Sequence, residues 1–391
     1  RKAWYVAKEK VLGDDIKREY PCIAGDIDIF IPEGIVRMDQ VKPDGCRVQA
    51  FMDSGIQECL EITTSLGYRV VCTHDHRILT PEGFVKAKNL KNADEIKIGR
   101  WCESESEPQK VEFSELPLAQ AKIEITEDVA EFLGFFVGDG SYSTNTLSVV
   151  CDAKDHDTIA RVENLIEKLF RKPGKREIGG AVEVRLGCVQ AEKYLRAIGV
   201  VETRVSGSIG RRVCVPESIK KSPDRVIRRF LKGLFEADGF AQKDGTGVKI
   251  HTKYERFARE IQLLLLRFGI TSRLSEHNKK AGSGHEYKGF ELALRTAESI
   301  KFSEEIGFVS KRKNDRAMSR KNVADGYVKR RLPIADRDKI ALIAPAGMRK
   351  VYDIQTDDRR FSAGGVIVHN SYFEEAFEQS IKGAFYEDQM T

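Results

Sequence analysis

Two different periodicities of apolar and polar positions run along this chain. Between residues 22 and 99, short runs such as IDIFI, CRVQAF, ECLEITT and YRVVCT are separated by Gly, Asp and Pro. Runs of this length and composition, bounded by turn residues, predict short strands. VYDIQT and FSAGGVIVH, between residues 350 and 369, have the same character. We therefore expect the two regions to form one all-β domain.

The region between them has helical periodicity and contains an internal repeat. Residues 126–140 read as a helix ending in FLGFFVGDG, and a strand, a helix, a strand and a short helix are predicted after it. Residues 223–239 end in FLKGLFEADG and begin a second unit with the same order. Two such units predict a pseudo-symmetric α+β domain covering about residues 126–308. Its insertion into the β domain is tolerable if its ends lie close together.

Length and composition indicate a globular protein of two or three domains. The chain has 391 residues, of which 41% are apolar and 32% charged, and domains average roughly 150 residues. The most apolar stretch, residues 261–270, is too short to cross a bilayer and contains Arg267. Residues 1–19 lack the apolar core of a secretory signal, so we expect a cytoplasmic protein with no membrane partner. The eight cysteines form no CxxC pair and are predicted to be thiols.

Positive charge is concentrated in the middle of the chain. Residues 121–340 contain 43 lysines and arginines against 31 acidic residues, a net charge of +12, whereas the whole chain carries +5. Such an excess favours contact with a polyanion such as nucleic acid. On charge alone, an inert basic surface is the alternative.

Four short stretches in the β-rich regions contain residues that can act in acyl transfer. They are Cys22, Thr73 and His76 in CTHDHRILT, Asp353 in VYDIQT, and His369, Asn370 and Ser371 in VIVHNS. Together they resemble the N-terminal, TxxH, VYD and terminal HN blocks of inteins, over nearly all of residues 22–370. The resemblance implies an all-β splicing domain with the horseshoe fold shared with hedgehog autoprocessing domains, the Hint fold.

The chemistry of the first implied step explains its residue types. A thiol beside an amide can attack the preceding carbonyl when it is activated, so Cys22 would convert its amide bond with Pro21 into a thioester. The resemblance implies that Thr73 stabilises the tetrahedral oxyanion and that His76 protonates the departing nitrogen. Pro21 restricts the backbone at this bond, because its ring fixes φ.

The remaining steps follow from the same resemblance. Ser371 would take over the acyl group as a branched ester, and Asp353 matches the family carboxylate that couples the two steps. Asn370 would then cyclise onto its own carbonyl to form a succinimide, while His369 polarises the peptide. An ester-to-amide rearrangement would join the flanking segments, and no cofactor is required.

Two positions leave alternatives open. If CTHDHRILT is extended, His74 shares a face with His76, so alternation does not distinguish them, although the family pattern favours His76. Many inteins have a histidine near Arg359, where this chain reads DDRRF. Cyclisation of Asn370 would then depend on His369 and His76.

The repeated nonapeptides, residues 132–140 and 231–239, each end a predicted helix with an aspartate at the eighth position. These aspartates are Asp139 and Asp238, 99 positions apart. Small residues at helical spacing in both nonapeptides would allow the two helices to pack backbone against backbone. Two adjacent carboxylates suit a hard divalent cation. The nonapeptides resemble the paired LAGLIDADG motif, which implies a homing endonuclease that cleaves both DNA strands, with Asp139 and Asp238 catalytic and binding Mg²⁺.

The resemblance also implies a DNA-binding saddle formed by the strands after each motif, acting as a monomer on double-stranded DNA at the intein-less host gene site. Candidate phosphate contacts are the basic residues of 171–176, Arg211, Arg212, Lys249 and residues 311–321. Lys249 or Arg295 could act beside the metal ions. Glu236 is interpreted as structural, because the first repeat has Val137 at that position.

The flanks indicate a host protein. Joining residues 1–21 to 371–391 gives a sequence that resembles the large terminase subunit of tailed phages. We therefore predict extein fragments at 1–21 and 371–391, a splicing domain at 22–115 and 336–370, and an endonuclease domain at 116–335. The alternatives are an endonuclease on a splicing-deficient Hint domain, and a splicing protein whose DNA module only supports folding.

Overall fold

A computed structural model describes residues 21–42, 48–100, 106–112, 122–203, 208–280, 286–320 and 336–370. The chain divides into two compact units. The β unit comprises Arg1–Glu103 and Asp336–Thr391, and the repeat unit comprises Ser104–Ala335. Within the described ranges, no helix is both long enough and apolar enough to cross a membrane.

The strands are short except for two in the β unit, which have 17 and 20 residues. The strands are β1 Ile23–Ala24, β2 Asp28–Ile31, β3 Gly34–Arg37, β4 Val48–Thr64, β5 Arg69–Thr73, β6 Arg77–Thr80, β7 Gly83–Lys86, β8 Glu95–Lys97, β9 Lys110–Glu112, β10 Lys122–Glu124, β11 Gly140–Ser143, β12 Thr146–Asp152, β13 Gly174–Ile178, β14 Ala181–Gly187, β15 Val201–Thr203, β16 Ile209–Arg211, β17 Gly239–Ala241, β18 Gly247–Thr252, β19 Arg273–Lys280, β20 Glu286–Arg295, β21 Arg337–Thr356, β22 Arg360–Ala363 and β23 Val366–His369.

All α-helices in the described residues belong to the repeat unit. They are α1 Glu127–Asp139, α2 His156–Leu169, α3 Val189–Ile198, α4 Glu217–Lys220, α5 Asp224–Ala237, α6 Glu255–Arg267, α7 Thr296–Glu305 and α8 Lys311–Met318. In its described residues the β unit instead has two 3-10 turns, Met38–Gln40 and Ala87–Asn89.

The β unit consists of two antiparallel sheets. One has the order β1-β5-β4-β21-β8, and an additional pairing of β1 with β21 closes four of its strands into a ring. The other has the order β3-β2-β22-β23-β6-β7. In both sheets, strands from the beginning of the chain pair with strands from its end. The core of this unit therefore depends on contacts between residues about 300 positions apart in the sequence.

The repeat unit contains the same arrangement twice. Each copy runs helix, two strands, helix, two strands, helix, from α1 to α3 and from α5 to α7. The sheets have the matching orders β11-β12-β14-β13 and β17-β18-β20-β19. The sequence predicts one strand directly after each motif helix, whereas the structure has a hairpin there, β11-β12 or β17-β18. The first strand of each hairpin, β11 or β17, is only four or three residues long and gives little periodic signal.

Candidate functional sites

Strand register positions Cys22 between two other candidate residues. Ile23 is opposite Tyr352 on one side and opposite Cys72 on the other. Because antiparallel register continues by one residue in each direction, Cys22 lies opposite Asp353 and Thr73. The contacts agree, since Cys22 N–H donates to Thr73 Oγ1 (2.9 Å) and Thr73 N–H donates to Cys22 O (3.0 Å). Cys22 and Asp353 are completely buried.

The surroundings of the Cys22 thiol favour its protonated form. Burial raises the pKa of Cys22 well above its usual value, and the Asp353 carboxylate raises it further. The Ser54 hydroxyl opposes this rise but does not reverse it. At neutral pH the group is therefore a thiol, and it must lose its proton before it can act as a nucleophile.

His76 is fully buried and near both ends of the segment that the intein resemblance covers. Burial lowers the pKa of His76 to about 3, the backbone of Pro21 opposes this, and His369 adds to the decrease. Neither imidazole nitrogen forms a hydrogen bond of normal geometry with the described residues. A neutral imidazole has one N–H donor and one lone pair. At neutral pH His76 can therefore accept a proton or donate a hydrogen bond. It is not an imidazolium, so it must gain a proton before it can act as a general acid.

The structure also separates His74 from His76. Residues 74 and 75 form a turn directly after β5, so the run is not extended and strict alternation does not apply. His74 is partly exposed, and Asp75 forms ion pairs with Lys86 and Lys88. The backbone turn directs His76, rather than His74, into the interior.

Asn370 follows the last strand and is almost completely buried. Its side-chain Nδ2 donates to Thr356 O (3.2 Å) and to Thr356 Oγ1 (3.0 Å), and its backbone N–H donates to Arg359 O (3.2 Å). Asn370 Oδ1 has no hydrogen-bond partner among the described residues. His369 is half-buried, and its ring meets that of Phe84 edge to face at 4.9 Å.

Thr356 is a candidate site residue that the sequence did not predict. Its position in VYDIQT, three residues after Asp353, was interpreted only as the end of a strand. The turn from Thr356 to Arg360 holds Asn370 mainly through backbone oxygens, and no residue type in DDRRF indicates such contacts. Ser371 and the flanking segments 1–20 and 371–391 lie outside the described residues.

The second candidate site depends on close contact between α1 and α5. A Cβ atom added at Gly134 would be 2.2 Å from Phe230 O, and one at Gly233 would be 2.2 Å from Glu131 O. One turn further along, a Cβ at Gly138 would be 2.4 Å from Ala237 Cβ. Only small residues allow such an approach, as the nonapeptide spacing predicts.

Asp139 and Asp238 lie at the adjacent ends of these helices and form the carboxylate pair. Burial and then the Asp139 carboxylate raise the pKa of Asp238 to about 6, and burial also raises the pKa of Asp139. The cations Arg211 and Lys313 oppose both increases. Although neighbouring atoms crowd both carboxylates, the Asp139 side chain is exposed to solvent and that of Asp238 is half-buried. A ligand can therefore approach both.

Lys313, in α8, is fixed against the end of α5. Its Nζ donates to Glu236 O and to Gly239 O (3.2 Å for the latter), and it pairs with Glu236 Oε1 at 3.5 Å. From the sequence, Lys313 is predicted only as a phosphate contact. Lys249, suggested there for a role beside the metal ions, is instead paired with Glu291 at 3.0 Å.

Glu236 is structural, as interpreted from the sequence. Its buried carboxylate accepts hydrogen bonds from Thr158 Oγ1 (3.0 Å) and from the backbone N–H groups of Val309 (2.8 Å) and Ser310 (2.9 Å). These bonds connect α5 with α2 of the other repeat and with the segment that precedes α8. The carboxylate is therefore committed to holding this end of the unit together.

The two carboxylates fit the kind of Mg²⁺ site that is found in proteins acting on nucleotides. Mg²⁺ is usually held by one or two carboxylates together with water and substrate phosphates, not by a cage of protein ligands. Within the described ranges, no group of three or more His, Cys, Asp or Glu side chains is arranged to hold a metal. Asp139 and Asp238, at an accessible helix end, supply the carboxylates that such a Mg²⁺ site needs.

In the two four-stranded sheets of the repeat unit, one face of the central strands is apolar and buried, and the other is more exposed and carries most of the polar side chains. In β12, Leu147 and Val149 are buried, whereas Val150 and Asp152 are exposed. The polar faces of the two repeats differ in chemistry. In the first sheet the polar face carries Ser141 and Ser148, which hydrogen-bond to each other, and Arg185. In the second it carries Phe240 stacked on His251, with Glu291 joining His251 to Lys249.

Comparison with protein families identifies part of the repeat unit. Residues 225–307 match the family described as LAGLIDADG-like domain. The segment includes most of α5 and nearly all of the second repeat, so the prediction of a LAGLIDADG domain is confirmed for this repeat.

Curated proteins with different names match this chain over much of its length. The replication factor C small subunit of Methanocaldococcus jannaschii is 24% identical over 65% of this chain and 13% of its own length. The replicative DNA helicase DnaB of Rhodothermus marinus is 24% identical over 75% of this chain and 32% of its own. The tRNA-splicing ligase RtcB of Methanopyrus kandleri is 26% identical over 69% and 32%. The chain thus spans no more than about a third of these relatives.

Two kinds of solved structure are also similar. The homing endonuclease I-DmoI, in complex with DNA and Mn, is 19% identical, with a TM-score of 0.35, over 47% of this chain and 98% of that chain. A variant of the Ssp DnaB mini-intein is 21% identical, with a TM-score of 0.19, over 21% of this chain and 67% of that chain.

Proposed function

We propose that residues 22–370 are an intein that excises itself and carries a metal-dependent homing endonuclease. The observation that carries the splicing half is the position of His76. One buried imidazole interacts with the Pro21 backbone and with His369, although these residues are 348 positions apart in the sequence, and the pairing of β23 with β6 brings the end of the segment to this histidine. Splicing must break the peptide bond before Cys22 and the one after Asn370. One buried histidine would therefore act at both bonds.

In the first step, the thiol of Cys22 attacks the carbonyl carbon of Pro21. The C–S bond forms, the C–N bond between Pro21 and Cys22 breaks, and the Cys22 nitrogen gains a proton. Because burial keeps the thiol protonated, a base must remove its proton, and neutral His76 has a lone pair for this purpose. The same imidazole, once protonated, can return a proton to the departing nitrogen.

Thr73, expected from the family pattern to donate to the oxyanion, also contacts the scissile amide through its lone pairs. Its Oγ1 accepts the N–H of Cys22, so it fixes the nitrogen that leaves. Asp353, on the neighbouring strand opposite Cys22, would assist when Ser371 displaces the thiol from the thioester. In that exchange the Ser371 oxygen gains the acyl group, and the Cys22 sulfur is released as a thiol.

In the last cleavage, Asn370 Nδ2 forms a bond with the Asn370 carbonyl carbon, and the bond to the Ser371 nitrogen breaks. One Nδ2 proton is lost and the Ser371 amine gains one, which leaves a C-terminal succinimide. The ester linking residue 21 to Ser371 then rearranges to an amide.

For the endonuclease, the proposed site is the carboxylate pair. Asp139 and Asp238 would hold Mg²⁺, which when bound supplies an activated water and charge stabilisation for phosphodiester hydrolysis. Arg211 and Lys313 offset the negative charge of the pair, and the polar sheet faces would contact double-stranded DNA. Both motifs are on one chain, so we propose that the protein acts as a monomer.

The pattern of relatives supports an inserted element. Proteins named as a replication factor C small subunit, a replicative DNA helicase and a tRNA-splicing ligase match 65–75% of this chain over a minor part of their own length. A segment shared by proteins with unrelated names is expected of an element that inserts into different hosts. By the same reasoning, we propose that residues 1–21 and 371–391 are pieces of a terminase-like host, and that the element's target is the host gene without it.

The test is intact mass spectrometry of the expressed chain after incubation at neutral pH. The expected species are an excised segment of 349 residues, 22–370, and a ligated product of 42 residues. Asn370→Ala should abolish release at the C-terminal junction, because no side-chain amide remains to cyclise. Ligated product from that variant would contradict the proposal, and unchanged wild-type precursor would favour a DNA endonuclease on an inactive splicing domain.

A further inference from the structure

The amide of Asn370 is held by one residue that no part of the splicing proposal has yet used. Both hydrogen-bond acceptors of Nδ2 belong to Thr356, its backbone carbonyl at 3.2 Å and its hydroxyl at 3.0 Å. Thr356 and Asn370 are both at most 3% exposed, so water does not compete for these bonds.

The assignment of nitrogen and oxygen in this amide is determined by its partners. A backbone carbonyl only accepts hydrogen bonds, so the atom facing Thr356 O must be the NH₂ group. The Thr356 hydroxyl donates its own hydrogen to Arg360 O (2.9 Å), which leaves its lone pairs for Asn370. All three groups thus have consistent donor and acceptor roles.

We propose that Thr356 is a positioning residue for Asn370 cyclisation, acting through the bond between its hydroxyl and Nδ2. This inference rests on the proposed splicing function and adds a residue to its last cleavage. Two acceptors fix the plane of the amide, so rotation no longer competes with attack. The two acceptors also polarise the N–H bonds of Nδ2, which increases the electron density on the nitrogen that must attack.

The backbone of Asn370 is held by the same turn. Its N–H donates to Arg359 O (3.2 Å), so the backbone nitrogen and the side-chain amide of Asn370 are both anchored on residues 356–360. Arg359 adopts a left-handed conformation with φ +61°, which is uncommon for a residue with a side chain. Many inteins have a histidine near this position. In this chain, the turn at residues 356–360 instead holds Asn370 in place through hydrogen bonds.

The experiment measures C-terminal cleavage in the full chain with Cys22→Ala, where no thioester forms and release after Asn370 is followed alone by mass spectrometry. Thr356→Val removes the hydroxyl at nearly constant volume, and Thr356→Ser retains it. We expect the valine variant to cleave about tenfold more slowly, the effect of one buried hydrogen bond. The serine variant should stay within about twofold of the parent.

A second readout separates positioning from general damage. In the full chain with Asn370→Ala, cleavage at Cys22 by added dithiothreitol reports thioester formation, and Thr356→Val should leave its rate unchanged. Equal C-terminal cleavage in the valine variant and the parent would overturn the inference alone, as would an equal loss at both junctions. No excised segment from the wild-type chain, together with no release after Asn370 in the Cys22→Ala parent, would overturn the proposed function and this inference with it.

Discussion

The two units assemble their candidate sites by different physical means. In the β unit, Cys22, Thr73 and Asp353 meet because three strands pair in one register, and the site is buried. In the repeat unit, Asp139 and Asp238 meet because two helices touch backbone to backbone, and the site is open. This difference suits the two proposed functions, because a buried site excludes water that would hydrolyse a thioester, whereas a nuclease must admit both water and a polymer.

The largest expected effect concerns the carboxylate pair. Asp139→Asn removes one of two negative charges available to a divalent cation, so DNA cleavage should fall by at least about a thousandfold. Splicing should proceed at the parent rate, because Asp139 belongs to the other unit. Plasmid cleavage in Mg²⁺ and mass spectrometry of the same preparation measure both. Cleavage that persists would reject the metal assignment, and lost splicing would reject the independence of the two sites.

The helix contact can be broken without touching a carboxylate. Gly134→Ala puts a methyl group 2.2 Å from Phe230 O, a backbone atom that moves only if the helices separate. We expect a loss of about 3 kcal/mol in the free energy of unfolding of the repeat unit. Gly187→Ala is the matched control, because no atom lies within 4 Å of its added Cβ. Equal urea midpoints for the two variants would contradict the close contact.

Burial in the β unit predicts a dependence of stability on pH. The pKa of His76 is lowered from 6.5 to about 3, so protonation favours the unfolded chain. Its contribution to stability is therefore complete above pH 6.5 and is lost as pH falls towards 3, by up to roughly 1.4 kcal/mol per pH unit.

Urea unfolding between pH 4 and 7 tests this dependence on a chain with Cys22→Ala and Asn370→Ala, which stays intact. Adding His76→Gln removes the titrating group, so the decline at low pH should become less steep. Identical slopes with and without His76 would show that this ring is not buried as a neutral group.

The smallest effect sharpens the structural role of Glu236. Thr158→Val removes the 3.0 Å hydrogen bond from Thr158 Oγ1 to the buried carboxylate, and Thr158→Ser retains a hydroxyl. The valine variant should lose about 1 kcal/mol of unfolding free energy. A serine variant as unstable as the valine variant would mean that the methyl group, not the hydroxyl, matters at this position.

Much of the architecture was accessible from local patterns. The duplicated nonapeptides predicted a two-repeat α+β region, and the family match confirms a LAGLIDADG-like domain for the second repeat. The hairpin strands β11 and β17 were missed, because runs of three or four residues carry almost no periodicity. The small residues at 134, 138, 233 and 237 did predict the helix contact, since only side-chain size was needed.

The sequence by itself determined the residue types and their order: a cysteine and an asparagine at the ends of one segment, and two aspartates ending equivalent helices. Such information is local, because it depends on composition and short-range period. Tertiary structure alone decided that Asp353 faces Cys22, that Lys313 caps the end of α5, that His76 is neutral and that Thr356 holds Asn370. These properties arise from burial and from pairing between distant parts of the chain, and neither quantity is written in a local pattern.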